Sequence, residues 1–249
     1  MDQKELTSKI VKYAPLIDKA TNTGLSNNEK DLYFLMDSLV DEVKKTYPEL
    51  PCKNKCSLCC ENYGIPRVTT IEWQVVHKYI VKEMPEELRK KVIQQTIDMH
   101  TPQIEELTEE QNRIQEPHTK RIKANSPRPK FKCGHCPFLV DQSCSIYKAR
   151  PSICRAYGFF SIRVEGQTQV FTCQMAADLI LEILRERNEE HWALPVWDKF
   201  ADKIYELNQD KLVSTLPFWL LTHLDENNNV ISKVDINPDF GKLKDKYVK

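Results

Sequence analysis

Glycine is scarce, with six in 249 residues. Gly24, Gly64, Gly134, Gly158, Gly166 and Gly241 form neither G-x-G-x-x-G nor a P-loop, so a Rossmann-type or phosphate-cradling site is unsupported. There is no H-E-x-x-H helix and no G-x-S-x-G elbow. Net charge is also lacking. The 36 Lys and Arg balance 36 Asp and Glu, so nothing global draws the chain to nucleic acid or to an acidic membrane. The opening MDQKELTSKIVKYAPL has no signal-like apolar run, and no apolar segment approaches bilayer length. The expectation is a cytoplasmic protein with no membrane partner. Its 41% hydrophobic and 29% charged residues are ordinary for a folded soluble chain.

Cysteine is abundant but confined: nine residues, none before Cys52 or after Cys173. Four fall in CKNKCSLCC, as Cys52, Cys56, Cys59 and Cys60. Cys133, Cys136, Cys144, Cys154 and Cys173 form a second block. A reducing cytosol disfavours structural disulfides, and an odd count leaves one thiol over. Clustered thiolates are soft ligands for zinc or iron–sulfur centres. Cys56-x2-Cys59 and Cys52-x3-Cys56 close short loops onto one centre at little entropic cost. Adjacent side chains diverge, so Cys59 and Cys60 are expected to serve two centres, or one centre plus a packing role. Cys133-x2-Cys136 reads as a further knuckle. His135 within it reads more readily as a loop histidine than as a ligand. CGHC is also the tetrapeptide of disulfide isomerases, but the strand before and long helix after are missing. Lys53, Lys55, Arg67, Lys132, Arg150 and Arg155 are candidates to offset thiolate charge.

Helices surround these blocks. Apolar spacing predicts one over residues 2–20 and a stronger one through Leu32, Leu35, Met36, Leu39, Val40 and Val43, packed on the metal core. Thr69 and Glu72 form a capping box, Pro85 opens the following helix, and Pro102 ends or kinks it. Residues 105–116 carry five Glu, whereas 117–132 carry six Lys or Arg and no acid. The reversal reads as a solvated helix end and an exposed linker; with Phe131 as its only aromatic, nucleic-acid binding is not expected. Hairpins are predicted around Asp141–Ser143 and around Gly166. Cys173 opens another helix. Two or three more follow His191, with Trp192, Trp197, Phe200, Phe218 and Trp219 as packing residues and a polar, partly disordered tail. The fold class is mainly α with two short β-hairpins, an irregular cysteine core packed by amphipathic helices. Three segments are expected within one unit: 1–50, 51–175 and 176–249.

CKNKCSLCC, CPFL at Cys136 and CSIYKARPSICRAY together resemble the YkgJ-type cysteine-cluster proteins, the zinc- or iron-chelating CxxCxxCC family. The resemblance covers about residues 51–175. It implies eight metal ligands: Cys52, Cys56, Cys59, Cys60, Cys136, Cys144, Cys154 and Cys173. Cys133 falls outside that set, and the first gap holds three residues where the family name has two. The resulting expectation is a protein with one or two thiolate centres, iron–sulfur favoured over zinc, whose partner is an unidentified protein or small molecule. Two alternatives stand beside it. Flagellin lysine methylases carry a similar cluster, which implies a cluster-dependent protein-modifying enzyme, and a purely structural zinc would make the chain an interaction module. No residue is assigned a catalytic role.

Overall fold

Asp31 starts the best-formed helix of the chain. Its fully buried carboxylate accepts hydrogen bonds from the backbone N–H groups of Tyr33, Gly24 and Ser26, each at 2.9 Å, and from the Ser26 hydroxyl at 2.7 Å. One side chain thus caps a helix and folds the turn before it. The computed structural model describes residues 2–52, 56–62, 65–115, 135–190 and 192–247. Cys133, Lys53, Lys55, Lys132 and the basic stretch 117–132 lie outside the described residues.

In chain order the helices are α1 (Gln3–Lys19), α2 (Leu32–Thr46), α3 (Leu58–Asn62), α4 (Thr70–Lys82), α5 (Glu86–His100), α6 (Ile104–Gln115), α7 (Ser152–Ala156), α8 (Gln174–Arg187), α9 (Trp197–Leu207), α10 (Leu216–Thr222) and α11 (Lys242–Tyr247). The strands are β1 (Arg67–Thr69), β2 (Leu139–Val140), β3 (Ser143–Cys144), β4 (Phe160–Val164), β5 (Gln167–Phe171) and β6 (Val213–Thr215). They form three two-stranded antiparallel sheets, β1–β6, β2–β3 and β4–β5. The fold is mainly helical with short strands, and both expected hairpins are present. Each turns through left-handed residues, Asp141 and Gln142 in one, Glu165 and Gly166 in the other, as tight two-residue turns require. The β1–β6 pair was not expected. Its strands are three residues each and far apart in sequence, too short to show an alternating pattern.

The chain divides into two compact units, each made of two segments. Unit 1 is residues 1–56 with 152–207; unit 2 is 57–151 with 208–249. The division is interleaved, whereas the sequence segments 1–50, 51–175 and 176–249 run consecutively.

In unit 1, α2 packs against α1 and α7, and α9 packs against α1, α7 and β4. Leu35, Met36, Leu39, Phe160, Phe200 and Ile204 are buried there. Tyr47 stacks on Trp192, with centroids 4.0 Å apart and rings within 5° of parallel.

In unit 2, Val68, Trp73, Val76, Ile80, Phe138, Phe218, Trp219 and Leu220 make one buried cluster. The capping box of α4 is formed: the Thr69 hydroxyl donates to Glu72 at 2.8 Å, and the Thr69 N–H donates to the same carboxylate at 3.2 Å. α5 stops at His100 and a short 3₁₀ turn carries Pro102 into α6. The polar tail is ordered against this core. Phe240 stacks on Phe218 at 5.2 Å, and Leu243 is buried.

Candidate metal centre

In unit 2 the site begins with α3, a single turn that carries Cys59 and Cys60. Their sulfurs lie 3.9 Å apart. Neighbouring side chains are expected to diverge, yet these two sulfurs are in contact. The Cys60 carbonyl accepts the Cys136 N–H at 2.8 Å, which fixes the later block onto α3. Cys136 is buried, and its own carbonyl accepts the Leu139 N–H at 2.9 Å. Leu139 pairs with Cys144 across the β2–β3 hairpin. The Gln95 amide on α5 holds this loop by donating to the Leu139 carbonyl at 2.9 Å and the Pro137 carbonyl at 3.3 Å. It also lies 3.0 Å from Nε2 of the exposed His135. Nothing in the sequence pattern marks Gln95, which is one polar residue on a mostly polar helix.

The thiols of unit 2 sense one another. A hydrogen bond to Cys60, together with burial, pushes the Cys59 thiol well above the usual range. The Cys60 thiol is also pushed up, chiefly by its hydrogen bond with Cys136, then by burial and by the fields of Cys136 and Cys144. Without metal Cys59 and Cys60 therefore hold their protons, and a metal must displace them.

In unit 1, Cys52 and Cys56 end the first segment, Cys154 lies on α7, and Cys173 is the residue before α8. Gly158 brings part of this set together. Its φ is +89°, and a Cβ there would collide with Cys52 Sγ. The Gly158 N–H donates to the Phe171 carbonyl at 2.7 Å, two residues before Cys173. Arg155, next to Cys154, is buried; it pairs with Asp37 of α2 and lies 4.2 Å from the Tyr33 ring centroid. Arg155 neutralises Asp37, Arg67 in unit 2 pairs with Glu110 at 2.6 Å, and Arg150 packs over Tyr147 at 4.0 Å.

None of the eight expected ligands is in a disulfide. Seven are half-buried and Cys136 is buried. Among the described residues no group of three or more His, Cys, Asp or Glu side chains is placed so that it could hold a metal ion. The donor set still fits zinc or iron. Metal–sulfur bonds of ~2.3 Å place two thiolates on one tetrahedral metal about 3.8 Å apart, close to the Cys59–Cys60 separation.

The CxxCxxCC family model, described as "Putative zinc- or iron-chelating domain", matches residues 51–174. The chain carries a CxxCxxCC domain. No curated protein and no solved structure matches the chain. The CxxCxxCC stretch holds the eight expected ligand positions and draws on both units. Among the described residues, no helix is long and apolar enough to cross a membrane.

Proposed function

We propose that this protein binds iron–sulfur clusters through Cys52, Cys56, Cys59, Cys60, Cys136, Cys144, Cys154 and Cys173, in the cytoplasm. The observation that carries the metal reading is the cysteine cluster of unit 2, where a backbone hydrogen bond and thiol contacts bring residues of both sequence blocks together inside a CxxCxxCC domain. The dense first block, completed by distant single cysteines, is the pattern of iron–sulfur proteins more than of paired-knuckle zinc sites. The 3.9 Å separation of Cys59 and Cys60 suits two thiolates on one iron of a four-cysteine [2Fe–2S] cluster. It suits a single zinc equally, so structural zinc is the second reading.

Purification without air, followed by metal and acid-labile sulfide analysis, tests this. The expected product is brown, with iron and sulfide in equal amounts and absorption that bleaches on reduction. Stoichiometric zinc without sulfide, from cells supplied with iron, overturns the cluster and leaves the thiolate site. Absence of bound metal, with every thiol reactive, overturns both. Cys133→Ser is expected to keep full metal content. Tight binding of S-adenosylmethionine would shift the reading to a protein-modifying enzyme.

A further inference from the structure

We infer that the eight cysteines divide four and four into two separate centres, one inside each compact unit. Cys52, Cys56, Cys154 and Cys173 make the centre of unit 1. Cys59, Cys60, Cys136 and Cys144 make the centre of unit 2. The inference rests on the thiolate-metal reading and goes beyond it by assigning every ligand to a centre.

The first argument is where the chain divides. The boundary of the first segment falls between Cys56 and Ser57, inside CKNKCSLCC. The second falls between Pro151 and Ser152, after Cys144 and before Cys154. Of the eight expected ligands, each unit therefore receives two from the early block and two from the late one. Four thiolates are the full set for a tetrahedral zinc or a four-cysteine cluster. The assignment is nested: the outer two pairs of the sequence go together, and the inner two pairs go together. It cuts across Cys56-x2-Cys59, the spacing that by loop entropy alone looks most like one chelate.

The second argument is local and independent of the boundaries. Cys60 touches Cys59, shares a hydrogen bond with Cys136 at the thiol and another at the backbone, and lies in the field of Cys144. In unit 1, Gly158 leaves room for Cys52 Sγ where any side chain would fill it. That glycine follows Cys154 by one helical turn and is bonded to Phe171, just before Cys173. Cys52 is thus placed against the segment that carries both later members of its own set. Metal entry has to draw the four thiols of each set onto a centre, releasing their protons.

Thiol alkylation mapped residue by residue, on the metal-loaded full chain, tests the partition. In Cys136→Ser, Cys59, Cys60 and Cys144 are expected to react as fast as in metal-free protein. Cys52, Cys56, Cys154 and Cys173 should stay protected, and metal content should fall by half. Cys154→Ser should give the mirror image. Should either variant fail to fold, Cys144→Ser and Cys173→Ser, both at half-buried positions, replace them. A variant that exposes members of both sets, or loses all its metal, overturns the partition while leaving the metal reading in place. Wild-type protein with no metal and eight reactive thiols brings down both.

Discussion

Gly158 shows how one residue outside any cysteine motif can decide a cysteine's position. Its φ of +89° is open to glycine at little cost and strained for other residues, and the space a Cβ would take is held by Cys52 Sγ. Gly158→Ala is expected to cost on the order of 2–4 kcal/mol, from the left-handed backbone and the collision together. It should also weaken metal retention in unit 1 more than in unit 2. Urea unfolding with residue-level alkylation measures both, and a fully stable, fully loaded variant would refute the cradle. Three buried histidines make a different prediction. His223 Nε2 accepts hydrogen bonds from Trp73 Nε1 at 3.2 Å and from the Asp235 N–H at 3.0 Å, so its proton sits on Nδ1, 2.8 Å from the Trp219 carbonyl. Burial lowers its pKa to about 4. His100 is fully buried, with no partner for either ring nitrogen among the described residues, and burial lowers it to about 4 as well. Burial also lowers His77. Unfolded, each histidine takes a proton below about 6.5; folded, His100 and His223 refuse it until about 4. Their contribution is therefore whole above pH 6.5 and lost as pH falls toward 4. At pH 5 each should have given up about 2 kcal/mol. Denaturant titrations at pH 7 and 5 check this, with His223→Gln expected to flatten the difference.

At the scale of elements, Asp31 is the clearest case of sequence dictating structure. Removing its carboxylate would leave the Tyr33, Gly24 and Ser26 donors without their acceptor at a fully buried position. Asp31→Ala is expected to destabilise unit 1 by about 2–3 kcal/mol, while Asp31→Asn, which keeps one acceptor oxygen, should cost less. Thermal melts of the two variants decide it, and equal losses would mean that charge, not capping, matters. Much at this scale was legible. The spacing of Leu32 through Val43, the Thr69–Glu72 box and the two turns at Asp141 and Gly166 are local signals, and each element formed where its signal lies. What was not legible is nonlocal. Strands β1 and β6 are too short to carry a period. The hold of Gln95 on the Cys136 loop depends on a tertiary approach that no spacing encodes. The tail looked polar because the residues that anchor it, Phe240 and Leu243 with Val230, Val234 and Tyr247, are few among many polar ones.

At the scale of the molecule, the cysteine positions were legible and their grouping was not, because proximity in sequence favours Cys56 with Cys59 whereas the compact units separate them. That grouping decides what metal does for stability. The unit 1 centre joins two segments distant in sequence and so closes a loop of ~100 residues, which contributes about 4–5 kcal/mol in the chain-entropy account, whereas the unit 2 centre closes a loop inside the single segment 57–151. Each unit also has an apolar core of its own. In unit 1 it is Leu35, Met36, Leu39, Phe200 and Ile204 with the Tyr47–Trp192 stack; in unit 2 it is the cluster around Trp73 and Trp219. Burying one large apolar side chain contributes roughly 1.5–3 kcal/mol, so several such residues exceed one loop-closure contribution. Removing the metal is therefore expected to loosen the protein locally rather than unfold it. In hydrogen exchange after chelation, protection should fall at residues 58–62, 136–145 and 152–173, while α2, α4, α9 and α10 keep theirs and far-ultraviolet circular dichroism changes little. The metal-free protein should still unfold cooperatively in urea, at a lower midpoint. Loss of protection throughout both units on chelation would show instead that the cores cannot stand without their centres, as in the small zinc domains that fold only when loaded.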